Sequence, residues 1–367
     1  MTARRVLQVL GQSAGGVGRH VAEVTRALDD GERLVIDIVA PPDLLVPMPK
    51  APLPVAIPDG PLRGHLSAVR AITRLLRSGG YDLLHAHGLR AGTDGVLAAR
   101  RAGVPAVVTL HNLLMPDIAG GFRARAFGWV EPFVVRSSVR TFVPSSEMSA
   151  YLASKVPAGR VEVLYAGTGE PPVLAGSRAE VRDELGMSPD GRLIVSVARL
   201  HPQKALHVLL DALASLPADV ILAIVGEGPL RADLERSAEG LGIRDRVHFL
   251  GYRDDAADYI AAADVFCLSS LWEAVPLAAQ EAVLLEVPVV STDVGGLSEL
   301  IEDGVSGRLV PKNDARALAK ALEETMSDGG LRRRFVAAAR AHYGTHFSRE
   351  AILHRLRRVY LDETGTN

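Results

Sequence analysis

The chain has 367 residues, 48% of them hydrophobic and 23% charged, with a single cysteine, Cys267, and a formal net charge of -2. That length predicts two domains with sizeable cores, and the lone cysteine excludes a disulfide framework and a cysteine-based zinc cluster. No apolar run is long enough for a bilayer-spanning helix, and the strand-like start leaves no room for a signal-peptide core, so a cytoplasmic protein is expected.

Short β-branched runs alternate with longer amphipathic stretches, the pattern of βαβ units and parallel sheets. In the first half, strands are expected at 5–10, 33–40, 81–87, 106–111, 140–144 and 161–166, and helices at 17–28, 62–78, 91–102, 123–138 and 146–154. The proline-rich segment 41–61 reads as an irregular excursion. A stretch rich in Gly and Pro, 167–176, lacks either period and reads as a linker.

The alternation then restarts. Strands are expected at 192–198, 219–226, 246–251, 264–269, 287–292 and 307–311. Helices fall near 178–185, 204–215, 230–241, 255–262, 276–285, 314–326 and 331–342, with a last helix at 348–360. The fold class is therefore α/β: two Rossmann-like, doubly wound parallel-sheet domains. Their ligands are expected beyond the carboxyl ends of the strands. Two such sheets facing each other would leave a cleft.

Charge is uneven, with 19 Lys/Arg against 14 Asp/Glu in 1–172 and 22 against 29 in 173–367. Neither half is basic enough for general nucleic-acid binding. Arg70, Arg74 and Arg77 form a stripe on one helix, and Arg123, Arg125, Arg136 and Arg140 interleave with Phe122, Phe127, Trp129 and Phe133. Each stripe alone fits an ordinary amphipathic helix; together they fit peripheral contact with anionic headgroups at the inner face of a membrane.

Several strand-end groups can carry chemistry. The loop GQSAGGVGRH (11–20) joins a strand to a helix, and its glycines let amides face an anion. It lacks the third glycine of the dinucleotide fingerprint and the Walker lysine. Arg199 and Lys204 flank a turn after the first strand of the second half and suit a diphosphate. Glu273 precedes a helix that begins at Pro276, and Glu281 lies within it; a carboxylate there can accept two hydrogen bonds from vicinal hydroxyls. The competing structural reading makes Gln280 and Glu281 the solvent side of that helix. His111 ends a strand, and His85 and His87 alternate across another, so that one of them, His87, would reach the strand-end mouth on the acceptor side.

In order along the chain, the GGVG loop, HAHG (85–88), VARLHPQK (197–204), VGEGPLRADLE (225–235), Glu273-AVPLAAQ-Glu281 and PVVSTDVGGLSELIEDGVSGRLV (288–310) resemble the retaining glycosyltransferases of family 4, which have the GT-B fold. The resemblance covers nearly the whole chain. It implies an N-terminal acceptor-side domain at 1–170, a nucleotide-sugar domain at 171–345, and a C-terminal helix, 346–367, packing back on the first.

The resemblance also implies roles. Arg199 and Lys204 would meet the donor diphosphate, Glu281 the ribose hydroxyls, and Glu273 the transferred sugar, helped by the amides of Val275 and Leu277. Pro276 has no N–H to offer. Gly16 would meet the phosphates, Tyr252 and Arg253 would cup the base, and His111 would sit beside the donor sugar.

The implied reaction moves a sugar from a nucleoside-diphosphate sugar to a hydroxyl, with retention, in cell-envelope glycan, glycolipid or exopolysaccharide synthesis. No D-x-D occurs, and the histidines and glutamates form no recognisable zinc set, so neither a metal nor a cofactor is expected. Alternatives are a small soluble metabolite as acceptor, a sugar-nucleotide epimerase or phosphorylase on the same fold, and an inactive nucleotide-sugar binding module.

Overall fold

The structure, a computed structural model, describes residues 3–11, 16–44, 46–58, 64–111, 121–157, 159–165, 171–188 and 190–362, the side chains of 16 and 121–128 excepted. Part of the glycine-rich loop (12–15), the start of the expected helix 62–78, and part of the linker 167–176 lie outside those residues. The chain forms two compact units, Met1–Ala166 with Arg349–Asn367, and Gly167–Ser348.

The first unit is a seven-stranded sheet, β1 Arg4–Leu10, β2 Leu34–Ala40, β3 Leu53–Pro54, β4 Leu83–His87, β5 Ala106–Thr109, β6 Arg140–Val143 and β7 Val161–Val163. Its order is β3-β2-β1-β4-β5-β6-β7, with parallel pairings throughout. β4 and β5 are buried along their whole length because a parallel sheet is covered on both faces.

The expected irregular excursion contains a strand. β3 pairs with β2 at the sheet edge, where Pro54 is tolerated because its missing N–H faces no further strand. The expected strand 106–111 stops at Thr109, although Leu110 still donates to the Phe142 carbonyl at 2.9 Å.

The final helix, Arg349–Asp362, belongs to this unit. Ile352, Leu356, Val359 and Tyr360 enter the core formed by Val6, Val24, Leu28, Leu34, Ile36, Leu83, Val107 and Phe142. Arg355 forks onto Glu162, which Arg140 also holds.

The second unit has six parallel strands, β8 Arg192–Val197, β9 Val220–Val225, β10 Val247–Gly251, β11 Val265–Leu268, β12 Val289–Thr292 and β13 Arg308–Val310. Their order is β10-β9-β8-β11-β12-β13. Both sheets thus reverse direction of growth beside their first strand, between β1 and β4 and between β8 and β11, and that reversal opens a crevice at the strand ends. The helix Leu206–Ala214 buries six of its nine side chains in the core on this sheet.

The single helix expected at 204–215 is two elements. A 3-10 turn, Pro202–Lys204, is followed by Ala205 at φ 42°, which breaks the helical path before Leu206. No helix among the described residues is long and apolar enough to cross a membrane.

Candidate functional site

In the second unit, the residues after β8 and β11 converge. The Lys204 ammonium lies 2.5 Å from Glu273 Oε1, and the Ser270 hydroxyl donates to the same oxygen at 2.5 Å. The pair is largely buried, with side-chain exposures of 18% for Lys204 and 6% for Glu273. A buried charge is stable only when paired and hydrogen-bonded, so each ion holds the other in place. Because both bonds fall on Oε1, Oε2 carries none among the described residues. Arg199, by contrast, is exposed and makes no side-chain hydrogen bond among the described residues.

The loop carrying Glu273 is fixed from several sides. Gln203 donates to the Trp272 carbonyl at 2.8 Å, and Leu271 N donates to the Gln203 carbonyl at 2.8 Å. Thr292 Oγ1 donates to the Ser270 carbonyl at 2.6 Å. Gly295, at φ 54°, passes so close that a Cβ there would stand 1.7 Å from the Glu273 carbonyl oxygen, and one on Gly296 would stand 2.2 Å from that of Ala274. Only glycine permits this approach.

Pro276 precedes the helix rather than opening it; the helix runs Leu277–Leu284. The first turn closes when Ala279 N donates to the Pro276 carbonyl at 3.1 Å. The amides of Leu277 and Ala278 thus come before any intrahelical bond, at the end that attracts electron-rich groups. Val275 is buried, with its carbonyl taking a bond from Gln280. Gln280 and Glu281 are both buried, which removes the reading of this pair as a solvent face.

Tyr252 and Arg253 differ. Tyr252 is 72% exposed. Arg253 forks onto Asp255 at 2.8 and 2.7 Å and lies over the Tyr259 ring, 5.0 Å from its centroid. Its guanidinium is therefore held within the unit, and its hydrogen bonds to the Asp255 carboxylate keep its pKa raised.

In the first unit the strand ends carry a neutral cluster. Gly16 opens the helix Gly16–Leu28, and His20 lies in its first turns. His85 and His87 are two residues apart and share one face of β4, their ring centroids 4.2 Å apart; the expectation that they lie on opposite sides fails because side chains alternate at each residue, not at every second one. His87 Nδ1 lies 3.3 Å from His111 Nε2, and His87 Nε2 lies 3.2 Å from Gln8 Oε1. His85 bonds Tyr360 Oη at 2.6 Å and Thr109 Oγ1 at 2.8 Å.

Burial disfavours the imidazolium, pulling His20 down to about 4 and both His85 and His111 to about 3, with His87 well below its usual value. All four rings are neutral at pH 7. No group of His, Cys, Asp or Glu among the described residues is arranged to hold a metal ion.

Sequence reasoning missed Ser270, Gln8 and His20. Gln8 had a signal, being the polar residue in the buried half of β1, while Ser270 had none that separates it from any loop serine.

Two parallel-sheet α/β units of this topology are the GT-B glycosyltransferase fold, and solved structures agree. Anabaena HepE in complex with UDP-glucose superposes with a TM-score of 0.80, 23% identity, and coverage of 96% of this chain and 98% of that one. The chain belongs to the group 1, family 4 glycosyltransferases. Residues 177–342 match the model for glycosyl transferases group 1, and residues 14–168 match that for glycosyltransferase family 4.

Among its relatives, a D-inositol 3-phosphate glycosyltransferase of Xylanimonas cellulosilytica is 34% identical over 351 residues, spanning 88% of this chain and 83% of the relative. The UDP-Gal:alpha-D-GlcNAc-diphosphoundecaprenol alpha-1,3-galactosyltransferase of Escherichia coli is 27% identical over 274 residues, spanning 72% of this chain and 71% of the relative.

Proposed function

We propose that the protein transfers a sugar from a nucleoside-diphosphate sugar to a hydroxyl acceptor, with retention and without a metal, in the assembly of a cell-envelope glycan or glycolipid. The observation that carries this reading is the meeting of Lys204, Ser270 and Glu273 at the switch point of the second sheet, beside the exposed Arg199.

In this reading Arg199 and Lys204 face the diphosphate, the first as a fork and the second as a point charge. Negative charge grows on the diphosphate as its bond to the sugar breaks, and fixed cations stabilise that charge without reorganising. Glu273 Oε2 accepts from hydroxyls of the sugar, while the amides of Val275 and Leu277 donate to it. Glu281 accepts from the ribose, Tyr252 covers the base, and Gly16 and His111 are further donor contacts. UDP-glucose is the first donor to test, because a structural neighbour binds it.

A lipid-linked acceptor is supported by the Escherichia coli relative. It is also supported by a groove of about 570 Å³ in the first unit, lined by Arg70, Arg74, Arg77 and Arg101 together with Thr73 and Ser78. No carboxylate pairs with these arginines among the described residues, which suits an anionic membrane surface. A second reading, a small soluble phosphorylated acceptor, is favoured by the name and 34% identity of the inositol-phosphate relative.

The test is incubation with a panel of nucleoside-diphosphate sugars in chelator, scoring thermal stabilisation, release of nucleoside diphosphate, and the anomeric configuration of the product. One donor should stabilise the protein and be turned over with retention. Glu281→Ala should bind that donor about tenfold more weakly, the worth of a charge-assisted hydrogen bond, while remaining folded. Binding without release at any acceptor would instead make the protein a binding module, and an inverted product would end the retaining assignment.

A further inference from the structure

A file of hydrogen bonds in the first unit runs from a helix carbonyl to His111, and each link fixes the polarity of the next. The Thr25 hydroxyl donates to the Val21 carbonyl, one turn earlier on its helix, at 2.9 Å. Its single proton is thereby used, so its oxygen accepts from Gln8 Nε2, 3.4 Å away. This turns Gln8 Oε1 toward His87 Nε2 at 3.2 Å. A carbonyl oxygen only accepts, so His87 carries its proton on Nε2.

His87 is buried among three other imidazoles, and that burial keeps its ring neutral, with one proton. Its Nδ1 is then a lone pair. The 3.3 Å contact between that atom and His111 Nε2 requires the proton to sit on His111. His111 is itself neutral, so its Nδ1 is bare, and it has no partner among the described residues. The opposite polarity would exchange the 2.9 Å Thr25–Val21 bond for the 3.4 Å Thr25–Gln8 contact, the poorer of the two. His85 stands outside the file, taken up by Tyr360 and Thr109.

We propose that Thr25, Gln8 and His87 are positioning residues that hold His111 as its Nε2–H tautomer, so that its bare Nδ1 accepts a hydrogen bond from a hydroxyl of the transferred sugar. The assignment of the hydroxyl rests on the reading of His111 as a donor contact; the tautomer does not. An acceptor nitrogen selects a hydroxyl over an ionised phosphate oxygen, which has no proton to give. The file therefore decides what His111 recognises, although only His111 would touch substrate.

Side-chain 1H–15N spectra of the full-length protein, selectively labelled at histidine, read the tautomer directly, with His111→Gln providing the resonance assignment. The expected wild-type spectrum has His111 protonated at Nε2 and unprotonated at Nδ1. Gln8→Leu removes the acceptor and should give a mixture of tautomers, while His87→Asn, whose Oδ1 replaces Nδ1 as acceptor, should keep the Nε2–H form.

With the donor chosen by the panel above, Gln8→Leu should lower kcat about tenfold, the value of one misdirected hydrogen bond, and leave the affinity for UDP alone unchanged. Thr25→Val supplies the same test should Gln8→Leu fail to fold, since it removes the group that orients the amide. A wild-type His111 protonated at Nδ1, or a tautomer indifferent to Gln8→Leu and to Thr25→Val alike, would overturn the proposal. Full sugar transfer by folded His111→Ala would instead remove His111 from the donor site and leave the tautomer result standing, so the two failures are distinct.

Discussion

The two units share a sheet order around the switch point, yet the residues at their strand ends have opposite electrical character. The second unit places ions there, Lys204 against Glu273 with Arg199 exposed nearby. The first places four histidines that burial keeps uncharged, and three of them, His85, His87 and His111, are hydrogen-bonded in a network with Gln8, Thr109 and Tyr360. The same backbone crevice therefore presents fixed charge in one unit and fixed, neutral hydrogen-bond polarity in the other. Topology says where a ligand meets the sheet; the side chains at the strand ends decide whether that ligand is recognised as an anion or as a polyol.

The largest effect should come from breaking the ionic side. Lys204→Ala is expected to reduce nucleoside-diphosphate release by about a hundredfold to a thousandfold. It should also lower stability by about 3 kcal/mol, because Glu273 is left buried and unpaired. Adding Glu273→Gln should restore much of the denaturant midpoint without restoring release. If release were unaffected by Lys204→Ala, the ion pair would be only a structural clamp.

The neutral side should show itself in pH dependence. Unfolded histidines titrate near about 6.5, whereas His20, His85 and His111 in the fold titrate at about 4, 3 and 3. Below pH of about 6.5 the unfolded chain binds more protons than the native one, so stability falls as pH falls, until the folded values are reached. Each such histidine contributes up to about 1.4 kcal/mol per pH unit in that window. Urea unfolding at pH 7 and pH 5 should therefore show a clear drop in midpoint. Equal midpoints would mean that the cluster is hydrated and the contrast between the units is lost.

The smallest effect concerns another surface of the first unit. Reversing charge in Arg70→Glu/Arg74→Glu should weaken co-sedimentation with anionic vesicles about tenfold or more, at roughly 1 kcal/mol per cation. Transfer to a soluble acceptor should not change. Vesicle binding that persists in the double variant would take the arginine groove out of any membrane contact.

The alternation of β-branched runs with amphipathic stretches carried most of the fold, since strands buried on both faces are predominantly apolar. The two-residue β3 escaped because its run is too short for any period and contains Pro54. The break at Ala205 escaped because a left-handed alanine is held by its surroundings and leaves no mark in composition. At the candidate site, Arg199 and Lys204 were singled out by their types at a strand end, Glu273 and Glu281 by the family resemblance, and the fold brings Lys204 and Glu273 together. Misplacing His85 against His87 was an error of period rather than of missing information.

By itself the sequence determined the class of fold, the presence of two units and the candidate strand-end segments, because hydrophobic period and the residue types at strand ends are local properties. Only the tertiary structure decided which groups meet. The bond between Lys204 and Glu273 and the file from Thr25 to His111 each join residues far apart in the chain, whereas the return of Arg349–Asp362 to the first unit was expected from the family resemblance. Such contacts depend on distance and burial after folding, and so do the charge on an imidazole and the position of its proton.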